Sequence, residues 1–267
     1  MLSQAEMRDD RPGAGGGVVR SVLGGLQWGL DRTVSVGYGV VYDYIFERFG
    51  PYRALQREVL ARVEATVTNG ADRGDVRVLE VGCGPGNFSC ILAEAGFSVL
   101  GIDPYAGLID LAREKRRARR LSHLAFQHAD LGQSNGLWDG SFDQVVSIHT
   151  LYAHPSPRLL LEQACRILKP GGHAVFVNHT QRLALGSAFA EVRRREGPMA
   201  ALRALGLWLV PNALFEAGRK PVGPHYWDEH IFARELREAG LSVLEMRRTF
   251  LNASSLLVWA RKAPRTR

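Results

Sequence analysis

From Val78 to Phe88 the chain reads Val-Leu-Glu-Val-Gly-Cys-Gly-Pro-Gly-Asn-Phe. An apolar run ends in an acidic residue, glycine then recurs at every second position, and a helix-like segment follows. Glycine has no Cβ, so the backbone can turn tightly and a ligand can lie almost against it. A strand, a glycine loop and a helix N-terminus in that order build a nucleotide-type cofactor site. Few folds accept such a segment, because the strand must sit in a sheet whose next element is a helix.

The flanking sequence supplies that alternation. Pro51 opens a predicted helix to about Val67, with Leu55, Val59, Leu60 and Val63 at helical spacing. Strands are predicted at Val76–Val81, Ser98–Asp103, His123–His128, Phe142–Ile148 and His173–Asn178. Helices are predicted between them at Asn87–Ala95, Ala106–Arg120 and Ser156–Leu168. Strands alternating with helices of this length argue for a parallel sheet with right-handed crossovers. A helix over Asp228–Ala239 and two strands near Leu241–Arg248 and Ser255–Arg261 follow, the strands as an antiparallel hairpin.

Between Thr180 and Tyr226 the alternation fails. This stretch has helical periodicity (Leu183, Phe189, Val192, then Met199, Leu202, Leu205) and an apolar run from Leu205 to Val210. It reads as an insert over the sheet. The expected organisation is a disordered lead-in at 1–17, an N-terminal helical cap at 18–70 and a cofactor-binding core at 71–180. A helical insert or acceptor lid at 181–226 follows, and 227–267 completes the core.

Composition narrows the class. Cys83, Cys90 and Cys165 form no CxxC pair, which fits reduced thiols in a cytoplasmic protein and no metal site. Asp9, Asp10 and Arg11 stand where a signal peptide needs an apolar core, and no apolar run approaches the roughly 18 residues of a membrane span. The net charge of +7 is concentrated from Gln181 onward, with 15 basic against 8 acidic residues. That excess suits an anionic lipid or acidic partner as well as an ordinary solvated surface. It forms no dense basic patch with interleaved aromatics, so nucleic acid is disfavoured.

The loop itself discriminates between cofactors. A nicotinamide fingerprint, G-x-G-x-x-G/A, would place a small residue at Asn87. The pattern that fits is E-x-G-x-G-x-G, on Glu80, Gly82, Gly84 and Gly86. A pyrophosphate disfavours a carboxylate at Glu80, whereas the ammonium of an amino acid moiety welcomes it. Asp103 ends the second strand, where a carboxylate can accept both ribose hydroxyls. Asp130 ends the third.

With these pieces the chain resembles the class I S-adenosylmethionine-dependent methyltransferases, in their small-molecule, ubiquinone/menaquinone-biosynthesis-like (type 11) branch. The resemblance rests on Leu79–Gly86, Gly101–Asp103, Ala129–Leu131 and the turn Leu168-Lys169-Pro170-Gly171-Gly172 before the fifth strand. It implies a Rossmann-like, seven-stranded mostly parallel α/β sheet and S-adenosyl-L-methionine as cofactor. Cofactor contacts are then expected from Tyr42, Glu80, Gly82, Cys83, Gly84, Gly86, Asn87, Asp103, Pro104, Asp130, Leu131 and His149. Gly82, Gly84 and Gly86 would approach the methionine part, Asp103 the ribose and Asp130 the adenine. Tyr38, Tyr42 and Tyr44 resemble an aromatic lid over the sulfonium, and core packing of an apolar helix is the alternative.

The acceptor side follows the fourth strand, at Ser147–His154. His149 is the first candidate for a base or orienting group, because imidazole titrates near neutrality; Tyr152 and His154 come next. His179, His225 and Tyr226 are further candidates, and a purely structural role is open for each. The chain lacks the Asn/Asp-Pro-Pro-aromatic signature of nucleic-acid amino methyltransferases. The expected acceptor is a small, largely apolar molecule, a secondary metabolite, quinone-type ring or lipid, with oxygen first in line for the methyl group. The alternatives are a membrane-associated lipid or quinone C/N-methyltransferase and a non-catalytic binding or regulatory subunit on the same fold. The insert fits an acceptor lid, an interfacial helix for peripheral membrane contact, or a homodimer interface.

Overall fold

The computed structural model of the chain describes residues 47–67, 72–133, 136–210 and 225–264. The expected lead-in, most of the cap and the tyrosines Tyr38, Tyr42 and Tyr44 lie outside the described residues. Helix α1 spans Gly50–Glu64, with Pro51 in its first turn and Leu55, Val59 and Val63 on its buried side. Strand β1 (Arg77–Val81) leads through the glycine loop into α2 (Asn87–Glu94). Then come β2 (Ser98–Asp103), α3 (Ala106–Arg119) and β3 (Leu124–His128). β4 (Phe142–Ile148), α4 (Pro157–Ile167) and β5 (Leu168–His179) complete the parallel part.

The strands form one seven-stranded sheet in the order β3-β2-β1-β4-β5-β7-β6, where β6 is Leu241–Thr249 and β7 is Ser255–Lys262. β1 to β5 run parallel, and β7 lies antiparallel between β5 and β6. The order reverses between β1 and β4. In open α/β sheets that switch point leaves a crevice beyond the strand ends, and ligands bind there.

Alternation along each strand feeds two cores. Val78, Val146, Val175 and Leu257 pack under α1 to α3 on one face. Leu79, Val145, Phe176 and Val258 pack under α4 and α7 (Glu229–Glu238) on the other. The apolar spacing dictates this: α4 buries Leu160, Leu161, Ala164 and Ile167, a stripe that recurs each turn. Asp228 caps α7 by accepting from the Ile231 amide at 2.8 Å.

Two expectations are refined. The fifth strand was expected from His173, but β5 already pairs at Leu168, opposite Phe142, and swings out before His173 pairs with Gln144. Gly171 there has φ +79°, and a Cβ on Gly172 would come within 2.9 Å of the backbone oxygens of Asp143 and Lys169. Only glycine fits that bulge. In the insert, α5 (Leu185–Glu196) and α6 (Pro198–Ala204) continue into a π-helical turn at Leu205–Leu209. From α6 onward the buried residues are Ala201, Ala204, Trp208 and Leu209, while Met199 and Leu202 of the expected apolar stripe face solvent. Alanines allow closer packing on the core, so the small residues turn inward.

Candidate active site

Two half-sites meet beyond the C-terminal ends of the strands. The first is polar and built by β1, β2 and β3. The amides of Gly82 and Cys83 both donate to the Ile102 carbonyl, at 2.9 and 3.0 Å, which ties the loop to the end of β2. Gly82 has φ +72°, and the Thr150 side chain fills the place a Cβ would take. Gly84 is different: a Cβ there would meet no atom within 4 Å, so its backbone lines open space. A ligand can therefore lie directly against it.

Asp103 is buried and accepts from the Gly84 amide through Oδ2 and from the Tyr105 amide through Oδ1, each at 2.9 Å. Burial raises its pKa, opposed by those two amides. Glu80 lies one strand away, buried, and accepts a short hydrogen bond from the Ser89 hydroxyl on α2. Burial pushes its pKa up to about 8, with Ser89 acting the other way and the charge of Asp103 adding to the rise. Two buried carboxylates thus lie close enough for the charge of one to disfavour that of the other, an environment that an ammonium group relieves.

Asp130 and Leu131 stand at the end of β3, with Leu131 buried. Asp130 Oδ1 accepts from the Gly132 amide at 2.8 Å and from His154 Nε2 at 3.0 Å. His154 Nδ1 accepts from the Ser156 amide at 3.0 Å, so Nε2 carries the proton. Burial alone would raise the pKa of Asp130, but the His154 hydrogen bond and those of its neighbours hold it below the usual range. The structure therefore places His154 against Asp130, and near enough to His225 for its charge to add to the burial that lowers the His225 pKa. Pro104 is fixed through its carbonyl, which accepts from His128 Nε2 at 2.9 Å. Cys83 is buried, and burial and the charge of Glu80 push its thiol pKa well up. Asn87 Oδ1 accepts from Lys115 Nζ at 2.6 Å.

The second half-site is aromatic. His149, in the left-handed region at φ 54°, stacks on His179 with ring centroids 3.8 Å apart and planes 6° apart. Ser255 Oγ lies 3.0 Å from His149 Nε2 and 3.0 Å from His179 Nδ1. Its one proton can satisfy only one ring, so the other ring must donate to it. Around this pair, Tyr52 and Phe250 approach His149 at 6.0 and 5.1 Å between centroids. Tyr152 meets His179 edge-on at 4.8 Å and stacks on Tyr226 at 6.1 Å.

Burial and then the charge of His179 hold the His149 pKa well below the ordinary imidazole value. Burial lowers that of His179 to about 4, against a hydrogen bond to Ser254. The premise that His149 titrates near neutrality is corrected: both rings are neutral at pH 7. Sequence reasoning did not bring in Tyr52, Phe250 or Ser255, which come from distant segments. It also passed over Arg53 and Arg57, an i, i+4 pair on α1. They line a cavity of about 400 Å³ that also borders Asn87. Tyr42 lies outside the described residues.

A parallel sheet with its switch point at a glycine cradle, two acidic strand ends and an aromatic wall defines a Rossmann-like group-transfer site. The chain belongs to the methyltransferase-domain family, whose family model matches residues 46–246. It is 26% identical over 187 residues to the ubiquinone biosynthesis O-methyltransferase of Acinetobacter baylyi, covering 68% of this chain and 70% of that one. A stretch of 74 residues is 38% identical to the 23S rRNA (uracil(1939)-C(5))-methyltransferase RlmD of Shewanella sp., but spans 27% of this chain and only 16% of that relative. In fold it is similar to magnesium protoporphyrin IX methyltransferase from Synechocystis PCC 6803, solved with bound SAH. The TM-score is 0.59 at 18% identity, over 87% of this chain and all of that one. Family and fold together imply S-adenosyl-L-methionine as the cofactor. The residues present fit it, with open space over Gly84 and buried carboxylates at Glu80 and Asp103.

Proposed function

We propose that this protein methylates a small, largely apolar acceptor, at oxygen in the first instance. The observation that carries this reading is the aromatic wall around the stacked, neutral His149 and His179. Such a wall takes a flat or greasy molecule and offers few charges to a polar polymer. The likeness to a ubiquinone biosynthesis O-methyltransferase supports the same acceptor class and atom.

In this reading the Gly84 backbone cradles the methionine part, Glu80 faces its ammonium, Arg53 faces its carboxylate, Asp103 takes the ribose and Asp130 the adenine. The bound cofactor supplies an activated methyl group on a sulfonium. That methyl group would pass to the acceptor oxygen with the sulfur leaving as a neutral thioether, and the acceptor's proton would go to water or to a neighbouring base. The protein's part is mainly positioning, which can supply roughly 7–11 kcal/mol of a barrier. Neutral imidazoles suit a cationic sulfonium better than imidazolium would, and tyrosine and phenylalanine faces attract it. His149 and His179 accordingly orient the acceptor, with Ser255 locking their tautomers.

The test is methyl transfer from isotopically labelled cofactor into a cell extract, with products identified by mass. Labelled products confined to small aromatic or lipid-like molecules fit the reading. Label found only in RNA or protein, or no binding of S-adenosylhomocysteine by calorimetry, would overturn it.

A further inference from the structure

The helix from Pro198 to Val210 is apolar on both sides. Its inner face is Ala201, Ala204, Trp208 and Leu209, all buried. Its outer face carries Met199, Leu202, Leu207 and Val210, with 63, 55, 47 and 40% of their surface exposed. A helix on a water-facing surface normally turns polar residues outward. Here the outward stripe holds a single charge, Arg203. A run of exposed arginines, Arg193, Arg194 and Arg195, ends α5 immediately before it. Arg195 is engaged with Glu191 at 2.7 Å, whereas Arg193, Arg194 and Arg203 pair with no carboxylate among the described residues.

An apolar stripe flanked by unpaired arginines is the pattern of a surface that lies in the headgroup region of an anionic bilayer. A protein partner would have to bring matching carboxylates to the same place, and a second copy meeting this face with its own would set arginine against arginine, its Glu191 being already held by Arg195. A second observation joins this face to the chemistry. Trp208 on the inner side packs against Phe49 at 4.7 Å and Phe250 at 6.0 Å, and Phe250 is itself part of the wall around His149. One turn of helix therefore separates the outward stripe from the aromatic wall around His149. Among the described residues no helix is long and apolar enough to cross a membrane, so contact through this face is peripheral.

We propose that the outward face of the helix 198–210, with Arg193, Arg194 and Arg203, docks on an anionic lipid surface, and that the acceptor enters the chamber from that surface. The docking stands by itself; only the entry of the acceptor rests on the methyltransferase reading. Lipid phosphates meet the guanidiniums, and Met199, Leu202, Leu207 and Val210 sink among the upper acyl chains. A water-soluble acceptor has no need of this face, so the acceptor is an amphiphile that partitions into bilayers.

The test is co-sedimentation of the full chain with vesicles of equal parts phosphatidylglycerol and phosphatidylcholine, beside pure phosphatidylcholine. Binding to the anionic vesicles at low salt is expected, falling as salt rises. Leu202→Asp with Leu207→Asp should weaken it by about tenfold or more, and Arg193→Glu with Arg194→Glu by roughly tenfold. Calorimetry with S-adenosylhomocysteine on the same samples should show unchanged affinity, which separates failure of the surface from failure of the cofactor site. Three results would overturn the proposal. One is binding that ignores lipid charge or survives all four substitutions. Another is a dimer in solution that Leu202→Asp dissolves, which would make a second copy the occupant. The third is a thermal midpoint that drops by many degrees in Leu202→Asp, which would mean that residues 211–224 of the chain itself cover the face.

Discussion

The two half-sites solve opposite electrostatic problems. On the cofactor side, Glu80 and Asp103 are carboxylates kept out of water, and burial raises the pKa of both. On the acceptor side, His149 and His179 are bases kept out of water, and burial lowers the pKa of both. The same physics, desolvation of a charged form, leaves each half closer to neutral than its residue types suggest. A cation then stabilises the first half and is merely tolerated by the second.

The strongest way to break the comparison is Asp103→Ala. It removes the acceptor for two backbone amides as well as the proposed ribose contact, and charge-assisted hydrogen bonds contribute about 1.5–3 kcal/mol each. Affinity for S-adenosylhomocysteine, measured by calorimetry, should fall by about two orders of magnitude or more. Unchanged affinity would mean that the ribose lies elsewhere.

Next comes pH. Between the unfolded glutamate value and about 8, native Glu80 holds a proton that the unfolded chain has lost, so its contribution to stability decreases as pH rises through that window. His179 runs the other way. Below the unfolded imidazole value and down to about 4 the unfolded chain binds a proton that the native ring refuses, so stability is lost as pH falls. Thermal melts of the ligand-free protein should therefore show Glu80→Gln removing a fall in stability between the unfolded glutamate value and about pH 8. His179→Gln should flatten the acid limb alone. Glu80→Gln should also weaken cofactor affinity by about tenfold, since a charge-assisted contact to the ammonium is lost.

A smaller effect belongs to the acceptor wall. His149→Phe keeps the stack but ends the hydrogen bond to Ser255, and should lower kcat/KM by roughly tenfold while leaving cofactor affinity intact. Wild-type activity should show no inflection from His149 between pH 6 and 8. An inflection that His149→Phe removes would restore it as a titrating base. Least of all, His154→Gln should cost only a few-fold in cofactor affinity, because Asp130 keeps the amide of Gly132.

The sequence disclosed these halves unequally. Glu80, the three glycines and Asp103 fall within a short stretch whose order follows from one strand, one turn and one helix, so spacing alone positioned them. The acceptor wall joins Tyr52 on α1, His149 after β4, His179 ending β5 and Ser255 starting β7. No local pattern links Ser255 to His149 across 106 residues. Their meeting depends on β7 pairing with β5 in one register, Ser255 opposite His179. The raised pKa of Glu80 was equally hidden, since it comes from burial beside α2, whose Ser89 bonds to it. The outward Met199 and Leu202 misled the periodicity because alanine carries almost no weight in an apolar pattern, yet packs closest.

The position of β7 has a consequence for how the molecule is made. This strand follows β6 in the chain but lies inside the sheet, between β5 and β6, and bonds to both. A nascent chain that has emerged only as far as α7 already owns the glycine cradle and its acidic partners. Its β5 edge is still open, and no hydroxyl stands between the two imidazoles. Such an edge is a template for pairing with another chain. The glycine cradle can thus form from a short stretch of chain, whereas the aromatic wall waits until Ser255–Lys262 pairs with two separated strands.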